Sequence, residues 1–191
     1  MNLNLPPINL TGGISLSEIE PSDYLDYYNI GKSPNTTKYL NWGPFINPNE
    51  ALWTINEIFY KRPLDNLPVG YAIRYRGHMI GMIDFHTYYQ ADNSVEIGYI
   101  LDENYWGRGI MKKALRKMIE IGFYHLGYSK LLVGTIKENT QSQSVIKACG
   151  FHYEYEKLVE LKNGYHIGYY YSLYPNEVIC NEWRNSIRKE I

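Results

Sequence analysis

The chain has 191 residues, of which 45% are hydrophobic and 20% are charged, as in a globular protein with a substantial core. Its net charge of -1 and its isoelectric point near 6.5 exclude a general electrostatic attraction to nucleic acid or to an anionic membrane. The two cysteines, Cys149 and Cys180, form neither a disulfide framework nor a zinc-binding pattern, which favours a reducing compartment.

No apolar run reaches the roughly 18 residues that a membrane-spanning helix needs. Residues 1–11 lack the basic flank and apolar block of a signal peptide. The sequence also contains no internal repeat, low-complexity tract or linker. We therefore expect a cytoplasmic protein of one domain over residues 1–191, with neither nucleic acid nor a membrane as partner; a monomer and a homodimer both remain open.

The first half of the chain is predicted to form one strand, then two helices, then three further strands. Alternating apolar residues predict a strand over residues 14–19, and Pro21 begins a helix. An aromatic-bearing loop over residues 31–48 leads to a second helix at residues 50–61. Three further strands are predicted at residues 69–75, 79–88 and 95–101.

The second half alternates helices and strands. The longest predicted helix starts near Gly107, carries an apolar stripe as far as Leu126 and is capped by Gly127. After it we predict a strand at residues 130–136, a helix at 139–149, a hairpin of strands at 153–161 and 165–173, and a closing helix at 175–188. This order indicates an α/β protein whose mixed sheet has helices on both faces.

Gly107 and Gly109 lie in the turn between a strand and the longest helix. Two glycines there allow backbone amides to point at a ligand, and the new helix adds unpaired N–H groups and a positive dipole end. The turn suits a pyrophosphate, although a turn that needs glycine only for its dihedral angles would look the same. A P-loop is excluded because GxxxxGK[ST] is absent, and a dinucleotide fingerprint because Lys112 occupies the third glycine position.

The same segment resembles the GNAT N-acetyltransferases. The R/QxxGxG/A cofactor motif of that superfamily aligns with residues 104–109, and its later NxxS and GF elements align with Asn139, Ser142 and Gly150-Phe151. The run Glu96-Ile97-Gly98-Tyr99 and residues 38–44 and 50–51 are similar to the RimJ/RimL branch, which acetylates the N-termini of ribosomal proteins. The resemblance implies the GNAT fold: a mostly antiparallel mixed sheet with one splayed parallel pair and helices on both faces.

The resemblance also implies acetyl-CoA as the cofactor and assigns residues to it. The pantetheine arm would pair with the backbone of the strand that contains Tyr99, Ile100 and Leu101, whose amides would lie near the thioester carbonyl. The pyrophosphate would be held by the amides of Trp106, Gly107, Arg108, Gly109, Ile110 and Met111. Asn139 would bind the cofactor arm or only cap its own helix. Basic residues one turn later, namely Lys112, Lys113, Arg116 and Lys117, would contact a phosphate or form a solvated helix face.

Acetylation of an amine requires the neutral amine. At pH 7, deprotonation costs about 1–1.4 kcal/mol for an α-amine of pKa ~7.7–8.0, and about 4.6 kcal/mol for a lysine-like amine of pKa ~10.4. A general base is therefore optional for a protein N-terminus and nearly obligatory for an alkyl amine. Glu96 is the candidate base, acting directly or through a water; the alternative is a structural carboxylate.

The departing thiolate requires a proton donor. Many GNAT enzymes place a tyrosine in the helix after NxxS/A, but the matching residue here is Ile146. The RimL-like pattern shifts this role to Ser142, whose hydroxyl otherwise serves its own helix. Glu96 and Ser142 are thus the predicted catalytic residues.

The acceptor side is predicted from aromatic residues, because the first two helices and their loop cover that end of the site in this family. These residues are Tyr27, Tyr39, Trp42 and Phe45, with Trp53 beside them. Few acidic residues occur there, which disfavours a strongly cationic acceptor. His86 and His125 have no partners at ligand spacing, so we interpret both as structural or surface residues and predict no metal.

Three functions remain in competition. The favoured one is transfer of acetyl to a primary amine, with a protein or peptide N-terminal α-amine ahead of a small-molecule amine such as a polyamine, an amino sugar or an antibiotic. A non-catalytic acyl-CoA-binding module would keep the glycine turn without the proton-transfer groups. An RNA- or ribosome-associated factor is disfavoured by the near-neutral charge.

Overall fold

One mixed sheet organises the protein, whose computed structural model describes residues 3–178. Its eight strands are β1 (Ile8–Leu10), β2 (Ile14–Glu18), β3 (Tyr71–Tyr75), β4 (His78–Tyr89), β5 (Ser94–Leu101), β6 (Lys130–Ile136), β7 (His152–Leu161) and β8 (Gly164–Leu173). They are arranged in the order β1-β2-β3-β4-β5-β6-β8-β7. Only β5 and β6 pair in parallel; the other six pairings are antiparallel. The predicted mixed sheet, mostly antiparallel with one splayed parallel pair, is confirmed.

Among residues 3–178, four α-helices connect these strands: α1 (Tyr24–Gly31), α2 (Pro48–Thr54), α3 (Ile110–Glu120) and α4 (Thr140–Ala148). Single π-turns extend α2 over Ile55–Phe59 and α3 over Ile121–His125. Asn47 caps α2 by accepting a hydrogen bond from the amide of Asn49. Within residues 3–178, no helix combines the length and the apolar character needed to cross a membrane.

The sheet separates two hydrophobic clusters, because successive side chains of a strand point to opposite faces. On one face, which we call the α3–α4 face, Leu115 of α3 and Ile146 of α4 pack with Phe85 and Ile97. On the other, the α1–α2 face, Tyr27 of α1 packs with Ile100 and with other strand residues. Burial of each such side chain stabilises the fold by about 1.5–3 kcal/mol relative to exposure.

The parallel pair β5–β6 is splayed. Pairing covers only Ser94 with Lys130, Val95 with Leu131 and Glu96 with Leu132. Beyond that point β5 continues to pair with β4 as far as Leu101, and β6 continues to pair with β8. A β-bulge in β4, between Phe85 and Thr87, lies opposite Glu96 and bends the strand there. A gap therefore opens in the sheet directly after Glu96.

Some predicted boundaries differ from the structure. Strand β1 was missing from the prediction, because three residues among asparagines and prolines carry too little alternation. The predicted helix at residues 50–61 begins at Pro48 and ends at Phe59. Pro175–Glu177 forms a 3-10 turn, and the rest of the predicted closing helix lies outside the described residues.

Candidate active site

A cavity of about 730 Å³ lies where the sheet splays apart. Its walls are the C-terminal half of β5, the start of α3, the start of α4 and the loop between α1 and α2. Most of the residues predicted to bind the cofactor or to catalyse line it: Tyr99, Ile100, Leu101, Trp106, Gly107, Gly109, Ile110, Met111, Asn139 and Ser142. Tyr39, a predicted acceptor residue, also lines the cavity. Arg108, predicted to bind the cofactor, and Glu96, the predicted base, lie outside its lining.

The glycine turn has the geometry of an anion site. Gly107 and Gly109 adopt φ values of 72° and 70°, in the left-handed region that favours glycine. Gly109 is the N-cap of α3, and no side chain caps the amides of the first turn. A Cβ built on either glycine meets no atom of the described residues within 4 Å, so the space above the turn is open. These groups fit a diphosphate bound by main-chain N–H groups.

Side-chain hydrogen bonds hold this turn against β5. The indole Nε1 of Trp106 donates to the carbonyl oxygen of Leu101 at 2.8 Å. Asn104 is at the first position of the cofactor motif. Its backbone N–H and its side-chain Nδ2 both donate to Asp102 Oδ1, at 2.9 Å each. The side chain of Asn104 is therefore occupied locally, and the Arg108 guanidinium lies 5.1 Å from the ring centroid of Tyr105.

Three of the four basic residues of α3 differ in their contacts. Lys112 lines the cavity. Lys113 donates to the carbonyl oxygen of Thr11 at 3.2 Å, and Lys117 forms an ion pair of 2.7 Å with Glu120. Lys112 is thus the basic residue of this group that the fold directs to the cavity.

Ser142 joins α4 to β5 across the cavity. Its Oγ and the hydroxyl of Tyr99 share a hydrogen bond of 2.8 Å. Asn139 caps α4 by accepting from the amide of Ser142 at 3.1 Å. Burial raises the pKa of Tyr99 well above its ordinary value, although the bond with Ser142 opposes the shift, so the phenol stays protonated. Ile146 is fully buried in the core, and a hydroxyl in this region comes instead from Tyr99.

Glu96 lies at the vertex of the splay, as the last residue of β5 that pairs with β6. Its side chain shares the α1–α2 face with Ile100, because the two are four residues apart on one strand. The residue is 8% exposed, and its Oε1 has no hydrogen-bond partner among the described residues. Oε2 lies 3.7 Å from Nδ1 of His86, which also contacts Thr87 Oγ1 at 2.8 Å. A buried carboxylate with a free oxygen can accept a proton.

Three predicted acceptor residues lie elsewhere. Tyr27 is 1% exposed and Phe45 is 8% exposed. Their ring centroids are 5.4 Å apart, and Trp42 stacks on Phe45 at 5.0 Å. The three rings pack in the cluster of the α1–α2 face and do not line the cavity. Contact between these rings and an acceptor remains a prediction.

The sequence did not reveal how the loop between α1 and α2 reaches the cavity. Glu103, just after β5, accepts hydrogen bonds from Ser33 Oγ at 2.5 Å and Asn35 Nδ2 at 2.8 Å. These two bonds lower the pKa of the Glu103 carboxyl. Asn35, Thr36, Lys38 and Leu40 thereby line the cavity, and the hydroxyl of Tyr39 donates to the carbonyl oxygen of Glu138 at 3.4 Å. The polar composition of residues 33–38 was the feature of the sequence from which this contact between loop and cavity could have been predicted.

Residues 14–152 match the family model of the acetyltransferase (GNAT) domain. The chain belongs to this family, and it is an N-acetyltransferase that uses acetyl-CoA. The family, enzyme class and cofactor predicted from the sequence are confirmed.

Two relatives and one solved structure illustrate the similarity. The uncharacterized N-acetyltransferase p20 of Bacillus licheniformis is 29% identical over 140 residues, which are 72% of this chain and 76% of the relative. Spermidine N(1)-acetyltransferase of Escherichia coli K12 is 22% identical over 147 residues, 77% of each chain. The structure of RimL, a ribosomal L7/L12 alpha-N-protein acetyltransferase in complex with coenzyme A, matches with a TM-score of 0.79 at 18% identity, over 88% of this chain and 98% of that one. This last likeness shows the shared fold.

Proposed function

We propose that the protein transfers the acetyl group of acetyl-CoA to the α-amine of a protein or peptide N-terminus, by direct attack, in the cytoplasm. The observation that carries the proposal is the pair of polar groups on either side of the splay. Glu96 keeps a free carboxylate oxygen on the α1–α2 face, and the Tyr99–Ser142 pair lies at the cavity on the α3–α4 side. A proton acceptor and a proton donor thus flank the gap between β5 and β6.

Acetyl-CoA, when bound, supplies an activated thioester. The open turn at Gly107 and Gly109, with the free amides of Ile110 and Met111, would hold its diphosphate. Lys112 would add a positive charge at the same mouth of the cavity. The backbone of β5 after Glu96 has no partner on β6, so it would hold the pantetheine arm as an added strand does.

Ser142 and Tyr99 would protonate the leaving thiolate. Asn139 fixes the start of α4, which holds Ser142 in place, and the Tyr99 phenol stays protonated because its burial raises the pKa. The Tyr99 hydroxyl can pass a proton to the thiolate through Ser142 Oγ, or donate it directly. This pair compensates for the isoleucine at position 146.

Glu96 would accept the proton that the amine loses. For an α-amine the cost of deprotonation at pH 7 is only about 1–1.4 kcal/mol, so the Glu96 carboxylate suffices as the base. Polyamine acetylation is the second candidate, favoured by the likeness to spermidine N(1)-acetyltransferase. For a polyamine, the same base would have to overcome a deprotonation cost of about 4.6 kcal/mol at pH 7.

Thiol release from acetyl-CoA tests the proposal with a peptide of free N-terminal serine, the same peptide with a blocked N-terminus, and spermidine. We expect turnover with the free peptide alone. Glu96→Gln should lower kcat/KM about 10²-fold near pH 6.5, and the deficit should shrink above pH 8, where the amine is already neutral. Ser142→Ala should lower kcat by about 10–10²-fold at all pH values.

Glu160→Gln, at an exposed carboxylate of β7, is the matched control and should retain full activity. A Glu96→Gln enzyme with an unchanged pH profile would assign a structural role to that carboxylate. Binding of CoA with no acetylation of any amine would favour a non-catalytic acyl-CoA module.

A further inference from the structure

Two glycines face the splay on the α1–α2 face, one on each side of the gap. Gly98 on β5 follows Glu96 by two residues, and Gly134 on β6 follows Leu132, the partner of Glu96, by two. A Cβ at Gly98 would lie 2.8 Å from Cδ2 of His86, and one at Gly134 would lie 3.0 Å from Cε1 of Tyr170. Each glycine therefore makes room for a side chain of the neighbouring strand. We call the part of the gap between His86 and Tyr170, on the face that carries Glu96, the cleft, and these two side chains its walls.

The aromatic surface that begins with Tyr170 of β8 continues onto the neighbouring strand β7. Tyr155 lies opposite Tyr170 in the β7–β8 register, and the two rings stack with centroids 4.8 Å apart and an interplanar angle of 5°. Nζ of Lys157 lies 4.3 Å from the centroid of Tyr170. Tyr155 is 37% exposed and Lys157 is exposed, so both are accessible to a ligand in the cleft. The wall is an aromatic surface that ends in a cation.

Most charged groups around the cleft already have a partner of opposite charge. The carboxylates of Asp84 and Glu154 are already paired with Arg62 and Lys130, each at 2.5 Å. Burial lowers the pKa of Lys157, but a hydrogen bond to Tyr170 and the electrostatic fields of Tyr170, Tyr155 and Glu96 outweigh it and raise the pKa. Lys157 therefore remains charged at neutral pH. An acceptor with a second positive charge would meet a cation there, with no further free carboxylate among these groups to balance it.

We propose that this cleft binds the acceptor and that Lys157 selects peptide N-termini that carry an acidic side chain at their second or third residue. The inference rests on the proposed function and names its substrate class. Three strand spacings of roughly 4.8 Å separate β5 from β7, about 14 Å across the sheet. Lys157 pairs with Gly168, in the row of Ile136, four residues along β6 from the partner of Glu96, and its Nζ lies over the ring of Tyr170. An extended peptide advances about 3.4 Å per residue, so an α-amine at Glu96 brings the following side chains towards Lys157. The same charge rejects polyamines.

Three peptides that share an N-terminal serine and differ only at residues two and three test the proposal: Asp-Glu, Asn-Gln and Lys-Arg. We expect kcat/KM to be about tenfold or more higher for the acidic peptide than for the basic one. Lys157→Met should remove the preference and Lys157→Glu should reverse it. The Kd of each peptide for the CoA-saturated protein, measured by calorimetry, should follow the same order without any turnover.

Lys147→Met is the matched control. Nζ of Lys147 lies 5.9 Å from the ring centroid of Tyr171, so it too is a cation over a tyrosine, but on α4 and away from the cleft. This variant should keep the preference of the wild type. Equal acetylation of all three peptides, or an unchanged preference in Lys157→Glu, would overturn the inference and leave the proposed function standing. Failure of the wild type to acetylate any peptide would overturn the proposed function itself.

Discussion

At the scale of single residues, Gly109 combines two properties that the cofactor turn requires. Its φ of 70° is one that a residue with a Cβ adopts only under strain, and the position of a Cβ faces open space at the cavity. Gly127, after the π-turn that extends α3, has nearly the same φ of 73° and an equally open Cβ position, but it does not line the cavity. The two positions separate backbone strain from ligand contact.

Gly109→Ala and Gly127→Ala should each lower the free energy of unfolding by about 1–2 kcal/mol, because both force alanine into the left-handed region. Only Gly109→Ala should weaken CoA binding, by about tenfold or more, since its methyl group enters the space for the diphosphate. Denaturant unfolding and calorimetry measure the two effects. Equal loss of CoA affinity in both variants would contradict the assigned turn.

At the scale of elements, an ion pair ties the segment after α2 to the sheet. Arg62 Nη2 lies 2.5 Å from Asp84 Oδ2 on β4, and Arg62 Nη1 donates to the carbonyl oxygen of His86 at 3.0 Å. Asp84 is 2% exposed. Burial raises the pKa of its carboxyl, and the Arg62 charge opposes this only in part. The folded state therefore binds a proton at Asp84 more tightly than the unfolded chain does. Stability falls as the pH rises from the ordinary pKa of an aspartate through the raised pKa of Asp84 in the folded state.

Arg62→Met should destabilise the protein by about 3–5 kcal/mol at pH 8, because it leaves an uncompensated buried carboxylate. The loss should be smaller at pH 5.5, because a raised pKa lets Asp84 take up a proton more readily as the pH falls, which removes the buried charge. Urea unfolding at the two pH values measures it. The neighbouring Lys61→Met removes an exposed pair with Glu57 and should cost about 0–1 kcal/mol at either pH. A pH-independent loss in Arg62→Met would show that Asp84 is not the responsible group.

At the scale of the whole molecule, the gap between β5 and β6 divides the sheet into two halves that share three residue pairs. The α3–α4 core lies on one face of the sheet and the α1–α2 core on the other face, and the loop between α1 and α2 reaches the cavity through Glu103. A ligand in the gap contacts both halves. Binding to the folded chain alone then raises global stability.

Acetyl-CoA at about 100 times its Kd should stabilise the protein by about 2.7 kcal/mol, which corresponds to a rise in Tm of about 5–11 °C for a chain of this size. S-acetylpantetheine at the same concentration lacks the diphosphate and should raise Tm much less. Calorimetric melting curves with each compound measure the difference. Equal shifts would mean that the glycine turn does not bind the diphosphate.

Local patterns allowed a large part of the fold and of the cofactor turn to be predicted. The strand that ends at Leu101, the glycines at 107 and 109 and the apolar stripe of α3 are contiguous in the chain, so their spacing alone indicates a strand, a turn and a helix. The asparagine at 139 similarly marks the start of α4. Such features depend on backbone dihedral angles and on periodicity, which neighbouring residues determine.

The tertiary structure decided which side chains meet. Tyr27 and Phe45 pack in a core, an environment to which an aromatic ring is as well suited as to a pocket, and their contact with an acceptor stays a prediction. The Tyr99–Ser142 bond joins residues on two different elements, and Lys157 lies over the ring of Tyr170 because the sheet order places β7 beside β8. The sequence by itself determined the elements and the cofactor turn, since these are local. Contacts across the splay depend on sheet order and register, which arise only when distant strands pair.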